Sequence, residues 1–331
     1  MMMNGIGDLA RHMTLGRQHS ALKTQLDRLT QELASGQRTD VGNPVTGGYL
    51  LLGDLARSET LLQGYTQNVA EARLYTNARQ TVLENMQSMT KSLASDLLVS
   101  HGGTHETREV LSNHAHETFR DLVSSLNGRV AGKGLFSGTD TNGVALAPAD
   151  EMLAALRTEI AGATSSQDVR QTVISWFNGP DFATSGYLGN DEPEIYQLSE
   201  TDRVSTKFTA NSPEIVALLA ETAIAALATD VPGLGTDQSQ ELMSVTGQAL
   251  INAQQDLTSL RANLGVVQER IDLADTRNAT QLASMQLARS ELVAIDPFET
   301  ATTLEHTRLQ LETLYSVTAR LSGLTLASYL R

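Results

Sequence analysis

Two interleaved apolar lines between about Gln238 and Ile295 dominate the pattern of this chain. One reads Leu250, Leu257, Leu264, Ile271, Asn278, Met285 and Leu292; the other, three residues on, reads Ala253, Leu260, Val267, Ala274, Gln281, Ala288 and Ile295. Lines sustained over this length at 3.5-residue spacing predict a long coiled-coil-like helix. Its seam is Leu250, Leu257, Leu260, Leu264, Val267, Ile271, Met285 and Leu292. One layer, Asn278 with Gln281, is polar. Either it fixes register at a cost in stability, or it is exposed where a partner helix has ended.

A second heptad pattern opens the chain. Leu15, Leu22 and Leu29 share one line and His12, His19, Leu26 and Leu33 the adjacent one, which predicts a helix from about Met13 to Ala34. Gly36 suits the left-handed conformation that closes helices. From Thr39 to Gly48 a cluster of Gly and Asn43-Pro44 reads as an irregular connector. Helical patterning resumes near Leu51 and carries Val69, Leu83, Met86, Leu93 and Leu97 to a break at Gly102-Gly103. A shorter helix is predicted over His105 to Asn127, followed by a glycine-marked, loop-rich exit.

Between about Leu135 and Gly235 stand all but two of the seven prolines. The short alternating runs Ile195 to Leu198 and Val204 to Phe208 predict a small hairpin. Helices are expected near Asp150 to Ile160, Ser166 to Trp176 and Pro213 to Ala228, the last opened by Ser212-Pro213.

The fold class that follows is mainly α with a small α+β insert. The two end helices should pair, because each carries an apolar stripe and neither is long enough to be stable alone in water. Three domains are expected. Residues 1–42 with 296–331 form a terminal helical domain, 43–134 with 237–295 an inner helical bundle, and 135–236 a variable outer α+β domain.

Composition narrows the function. Aromatic residues are only 4% of the chain, which suits long helices packed by aliphatic seams better than an aromatic-rich pocket. A formal net charge of -14, with no Lys/Arg block, opposes a nucleic-acid or anionic-membrane partner. The absence of cysteine removes disulfides, thiolate metal sites and thiol nucleophiles. No run spans a bilayer, and Met1 to Asp8 lacks the basic and apolar regions of a secretory signal.

Candidate chemistry is sparse. His101, His105, His114 and His116 cluster in sequence, but Gly102-Gly103 separates the first pair and His114 and His116 fall on different helix faces. They read as solvated or core histidines. Asn127 to Gly134 mimics a phosphate loop with the wrong glycine spacing and no Ser/Thr after Lys133, and so reads as a loop. Asp140-Thr141-Asn142-Gly143 resembles the start of a calcium loop without its closing acid, and reads as a turn. With no nucleophile elbow either, no catalytic residue, cofactor or metal is assigned. His12 and His19 lie on the first seam, either as a pH-sensitive contact or on a polar face open to water.

Several motifs resemble the flagellin superfamily of bacterial flagellar proteins. They are Leu33-Ala34-Ser35-Gly36-Gln37-Arg38 before Asn43-Pro44-Val45, Leu260 to Asp272 with its Leu264-Gly265 pair, and the ending Asp296 to Leu304 with Ser322 to Leu330. The connector Asp40-Val41-Gly42-Asn43 departs from the consecutive aspartates that the family often carries. Gly134-Leu135-Phe136-Ser137-Gly138-Thr139, with Leu314-Tyr315-Ser316, resembles the hook-associated branch that stands between hook and filament. Residues 145–235 match nothing in the family.

The resemblance implies a flagellin-like rod and an extracellular structural subunit, exported without a cleaved signal by the flagellar type III apparatus and assembled as a ring. Its implied partners are further copies of itself, the first hook-associated protein on the hook side, flagellin on the filament side and an export chaperone. The expected assembly seam is Leu15, Leu22, Leu26, Leu29 and Leu33 with Leu304, Leu311, Leu314 and Leu321. A filament flagellin, or a flagellin-like frame carrying a binding or enzymatic centre, are the alternatives.

Overall fold

A computed structural model of the protein describes residues 4–39, 48–99, 104–231 and 233–329, with backbone alone at 4–9, 11, 48, 49 and 321–329. The chain is mostly helical, in the order α1 (Asn4–Ser35), α2 (Gly48–Val99), α3 (His105–Leu126), β1 (Arg129–Val130), β2 (Lys133–Gly134), α4 (Ala149–Ile160) and α5 (Ser166–Asn178). A single π-helical turn (Phe182–Gly186), β3 (Glu194–Gln197), β4 (Arg203–Thr206), α6 (Pro213–Ala226), α7 (Thr236–Val293) and α8 (Pro297–Tyr329) follow. Two compact units result: Met1–Leu61 with Thr280–Arg331, and Leu62–Ala279.

In the end unit, α1 and α8 pack antiparallel, joined at one end by a short backbone bridge. Arg38 N–H donates to the Val293 carbonyl at 2.8 Å and Ile295 N–H to the Gly36 carbonyl at 3.2 Å. Gly36 closes α1 at φ +71°, where a side chain would be strained. The buried Glu32 carboxylate ties down the exit by accepting from Thr39 N–H at 3.0 Å and Thr39 Oγ1 at 2.9 Å. Asp296 caps α8 by accepting from the N–H groups of Phe298 and Glu299, and Pro297 occupies the first turn, where no N–H is needed.

The helix predicted from about Met13 begins at Asn4 instead. No proline interrupts residues 4–35, so the backbone hydrogen bonds of the helix propagate through the whole stretch. The connector residues 40–47 and the break at Gly102-Gly103 lie outside the described residues.

In the middle unit the core forms around α6, a helix buried on nearly every side between α3 and α5. Its one buried acid, Glu221, receives both guanidinium arms of Arg170 at 2.7 Å, so the charge is compensated where it is desolvated. Phe119, Trp176, Phe177 and Phe182 cluster in the same core at centroid distances from 5.0 to 6.4 Å, edge-on except for the tilted Phe177–Phe182 pair. The predicted hairpin is β3–β4, with Ile195 opposite Ser205 and Tyr196 opposite Val204. The segment that mimics a phosphate loop is a second hairpin, β1–β2. Its two-residue turn places both Ala131 (φ +48°) and Gly132 (φ +83°) in the left-handed region.

Candidate functional site

Burial along α7 differs between its first part and its last. Leu250, Leu257, Leu264 and Ile271 are fully buried, Leu260 is buried, and Val267 is half-buried. All six lie in the middle unit. In the end unit the same line opens: Met285 is half-buried and Leu292 is 37% exposed.

The polar layer has an origin that neither sequence reading named. Asn278 is completely buried and donates from Nδ2 to the Leu198 carbonyl at 2.8 Å, whereas Gln281 is exposed. The partner is the β3–β4 hairpin, not a helix, and the bond anchors α7 to it. Asn68 on α2 grips the next carbonyl, that of Gln197, at 3.1 Å. Asp202, at the hairpin tip, receives Arg270 at 2.9 Å and Arg277 at 3.3 Å. Val69, Ala72, Leu198, Val204, Ile271 and Ala274 fill the small apolar core beneath. The hairpin thus fixes α2 and α7 in register by hydrogen bonds to its own main chain.

The Leu-Phe-Ser-Gly turn performs a similar task one layer away. Leu135, Phe136 and Ser137 are buried, and Gly138 adopts φ +67° where a β-carbon would collide with the Asn190 backbone. Phe136 O accepts from Ala210 N–H at 2.9 Å, and Ser137 O accepts from Asn190 N–H at 3.1 Å. Arg79 of α2, only 2% exposed, donates from Nε to Leu135 O and from Nη2 to the Glu194 carboxylate, both at 2.6 Å. Burial, and then the Glu194 carboxylate, push the Tyr196 phenol up and keep it neutral as it donates to Glu194 at 3.1 Å. Burial likewise pushes Tyr187 up to about 12. Arg79 is absent from the seam lists above. Its signal was an arginine four residues before Leu83 and four after Tyr75, on the buried line of α2.

The end-helix seam is built differently. Leu29 is buried at 5%, and Leu15, Leu22, Leu26, Leu304, Leu311 and Leu314 are half-buried between α1 and α8. Leu33 is 40% exposed, and the side chain of Leu321 lies outside the described residues. The pair leaves apolar grooves open. One, of about 690 Å³, is lined among others by Ala21, Leu22, Leu309, Leu314 and Val317; another, of about 260 Å³, runs past His12, Leu15 and His19. His19 Nε2 stands 2.6 Å from the Tyr315 hydroxyl, while His12 is exposed. Of the clustered histidines, His114 faces Asp96 at 3.3 Å, and His101 lies outside the described residues. Among the described residues no three His, Asp or Glu side chains gather in a way that would hold a metal ion. No helix among them is long and apolar enough to cross a membrane.

Residues 247–330 match the bacterial flagellin C-terminal helical region. No curated protein matches the chain. Among solved structures it is similar to a protein assigned as a flagellar hook-associated protein from Vibrio parahaemolyticus, at 15% identity and a TM-score of 0.56, covering 76% of this chain and 100% of that one. It is also similar to Bacillus cereus FlgL, at 8% identity and a TM-score of 0.51, covering 73% of this chain and 99% of that one. At such identities the likeness is one of fold. The chain therefore carries a flagellin-type C-terminal helical region on a fold shared with these two flagellar proteins.

Proposed function

We propose that this protein is a non-enzymatic structural subunit of the bacterial flagellum, assembled as a ring that joins hook to filament. The observation that carries the reading is the antiparallel α1–α8 pair. Seven seam leucines are buried or half-buried in it, apolar grooves remain open along it, and its second helix falls inside the flagellin-type region. A pair with apolar surface left over gains stability by packing against neighbours, which is the energetics of an assembly element.

In this reading residues 1–42 with 296–331 assemble, 43–134 with 237–295 form the inner bundle, and 135–236 face outward. The chain leaves the cell through the flagellar type III apparatus, accompanied by an export chaperone until then. Its neighbours are its own copies, the first hook-associated protein and flagellin. The Leu-Phe-Ser-Gly turn favours the junction over the filament, and no residue is assigned to catalysis. Immunogold labelling of purified flagella tests it: one band of label where hook meets filament is expected, whereas label along the filament would make the protein a flagellin.

A further inference from the structure

Asparagine followed by glycine is the pair at which a polypeptide most readily modifies itself, because glycine has no side chain to shield its backbone nitrogen from the asparagine amide. The chain has four such pairs, at Asn4, Asn127, Asn142 and Asn178, and the last three are described with their side chains. Their surroundings differ. Asn127 is held at both ends of its amide: Nδ2 donates to the Leu146 carbonyl at 2.9 Å, and Oδ1 accepts from Leu146 N–H at 2.8 Å. The following Gly128 N–H donates to the Ser125 carbonyl at 3.1 Å. Asn178 Nδ2 donates to the Ile174 carbonyl at 2.9 Å, and Gly179 N–H to the Trp176 carbonyl at 3.2 Å. At both pairs the amide and the nitrogen that would attack it are occupied.

Asn142 is exposed in a turn, and neither its side-chain amide nor the Gly143 N–H has a hydrogen-bond partner among the described residues. Its carbonyl, by contrast, accepts from Arg129 Nη1 at 2.8 Å, while Nη2 of the same guanidinium reaches the carbonyls of Gly132 and Thr141. The Asn142 carbonyl and the Gly143 nitrogen belong to one peptide group. A cation bonded to the oxygen draws electron density from the nitrogen and favours the form that has lost its proton. The Asp140 carboxylate works the other way, with Oδ2 at 3.2 Å from where a β-carbon of Gly143 would stand. Arg129 offsets it by bonding directly to the group that bears the charge.

We propose that Asn142 is a site of self-modification in the folded protein, converting to aspartate or isoaspartate with the assistance of Arg129. The Gly143 nitrogen, its proton passed to hydroxide, attacks Asn142 Cγ. The N–Cγ bond forms, the Cγ–Nδ2 bond breaks, and Nδ2 leaves as ammonia after taking a proton from water. Water then opens the cyclic imide. Attack at Cγ gives aspartate; attack at the α-carbonyl gives isoaspartate, whose main chain runs through Cγ and is longer by one methylene. Each event adds one negative charge beside Arg129, in a chain whose net charge is already -14. The altered turn accepts Gly134 N–H at Thr141 O, at 2.9 Å, so the change reaches the strand that leads into Leu135 and Phe136. The reaction needs only the folded chain and water, so it holds whatever the protein assembles with.

Trypsin places the three asparagines on separate peptides, 121–129, 134–157 and 171–203. The purified full chain would be held at neutral pH, folded or in urea, and sampled over days by tandem mass spectrometry for the one-unit mass gain at each asparagine. Opening two or more hydrogen bonds first should slow Asn127 and Asn178 about tenfold relative to Asn142 in the folded chain. In urea the three should react at similar rates. A folded chain in which Asn142 reacts no faster than the other two overturns the assignment. Arg129→Met should slow Asn142 several-fold in the folded chain and leave its rate in urea unchanged. An equal or faster rate in that folded variant overturns the assistance given to the guanidinium.

Discussion

His19 on α1 and Tyr315 on α8 meet with their ring centroids 5.1 Å apart, edge to face, and with the histidine Nε2 at 2.6 Å from the phenol oxygen. They add a polar contact to a pairing whose seam is largely leucine. Tyr315→Phe keeps the ring contact and removes the hydrogen bond. Because Tyr315 is 54% exposed, the loss should fall at or below the low end of about 0.5–1.5 kcal/mol for a net hydrogen bond. Faster amide exchange along α1, with the middle unit unchanged, is the expected readout.

Leu26→Asp and Leu314→Asp place a carboxylate in the same half-buried seam. Desolvating a charge there opposes both helix pairing and packing between subunits. Both variants should retain a folded middle unit by circular dichroism and proteolysis, and both should be missing from purified flagella. Normal incorporation of either would remove the seam from the account.

Asn278→Ala deletes the donor to Leu198 and leaves a void under the hairpin. A cost of about 1–3 kcal/mol is expected for a buried carbonyl left without its partner. Urea unfolding measures the loss, and limited proteolysis near Ser199 to Asp202 should show the hairpin tip released first. Unchanged cleavage at the tip would mean that the hairpin is held by its apolar core alone.

Arg79→Met should be more damaging, because it strands the Glu194 carboxylate at 15% exposure. Removing one partner of such a pair costs about 3–5 kcal/mol. Adding Glu194→Gln to that variant should recover part of the loss in melting temperature, and failure to recover would show that Arg79 acts through Leu135 O instead.

Two of the seven tyrosines, Tyr187 and Tyr196, should titrate late. Burial raises their folded pKa above the ordinary value of about 10, so they stabilise the fold fully below that pH. The contribution declines as pH rises from there through about 12 for Tyr187, and higher still for Tyr196. Replacing both by phenylalanine should therefore remove the latest part of the absorbance rise at 295 nm, the part that coincides with loss of ellipticity. An unchanged late rise in that double variant would contradict the burial of both phenols.

Much of the fold was legible because its signals are local. Gly36 ends α1 where it was expected to, Pro213 opens α6, and the alternating run at Ile195 to Leu198 forms a strand paired with its neighbour. What stayed hidden depends on distant partners. Nothing in the local pattern says that Asn278 answers to a carbonyl 80 residues earlier, or that Arg79 reaches the Leu-Phe-Ser-Gly turn. Phe298 could be read as a seam residue from its type alone, and only the packing of α8 shows it standing clear.

Deleting the encoding gene and imaging both cells and culture supernatant tests the central claim most directly. Complete hooks without filaments, together with unassembled flagellin in the medium, are the predicted result. Intact filaments on the deletion strain would contradict it.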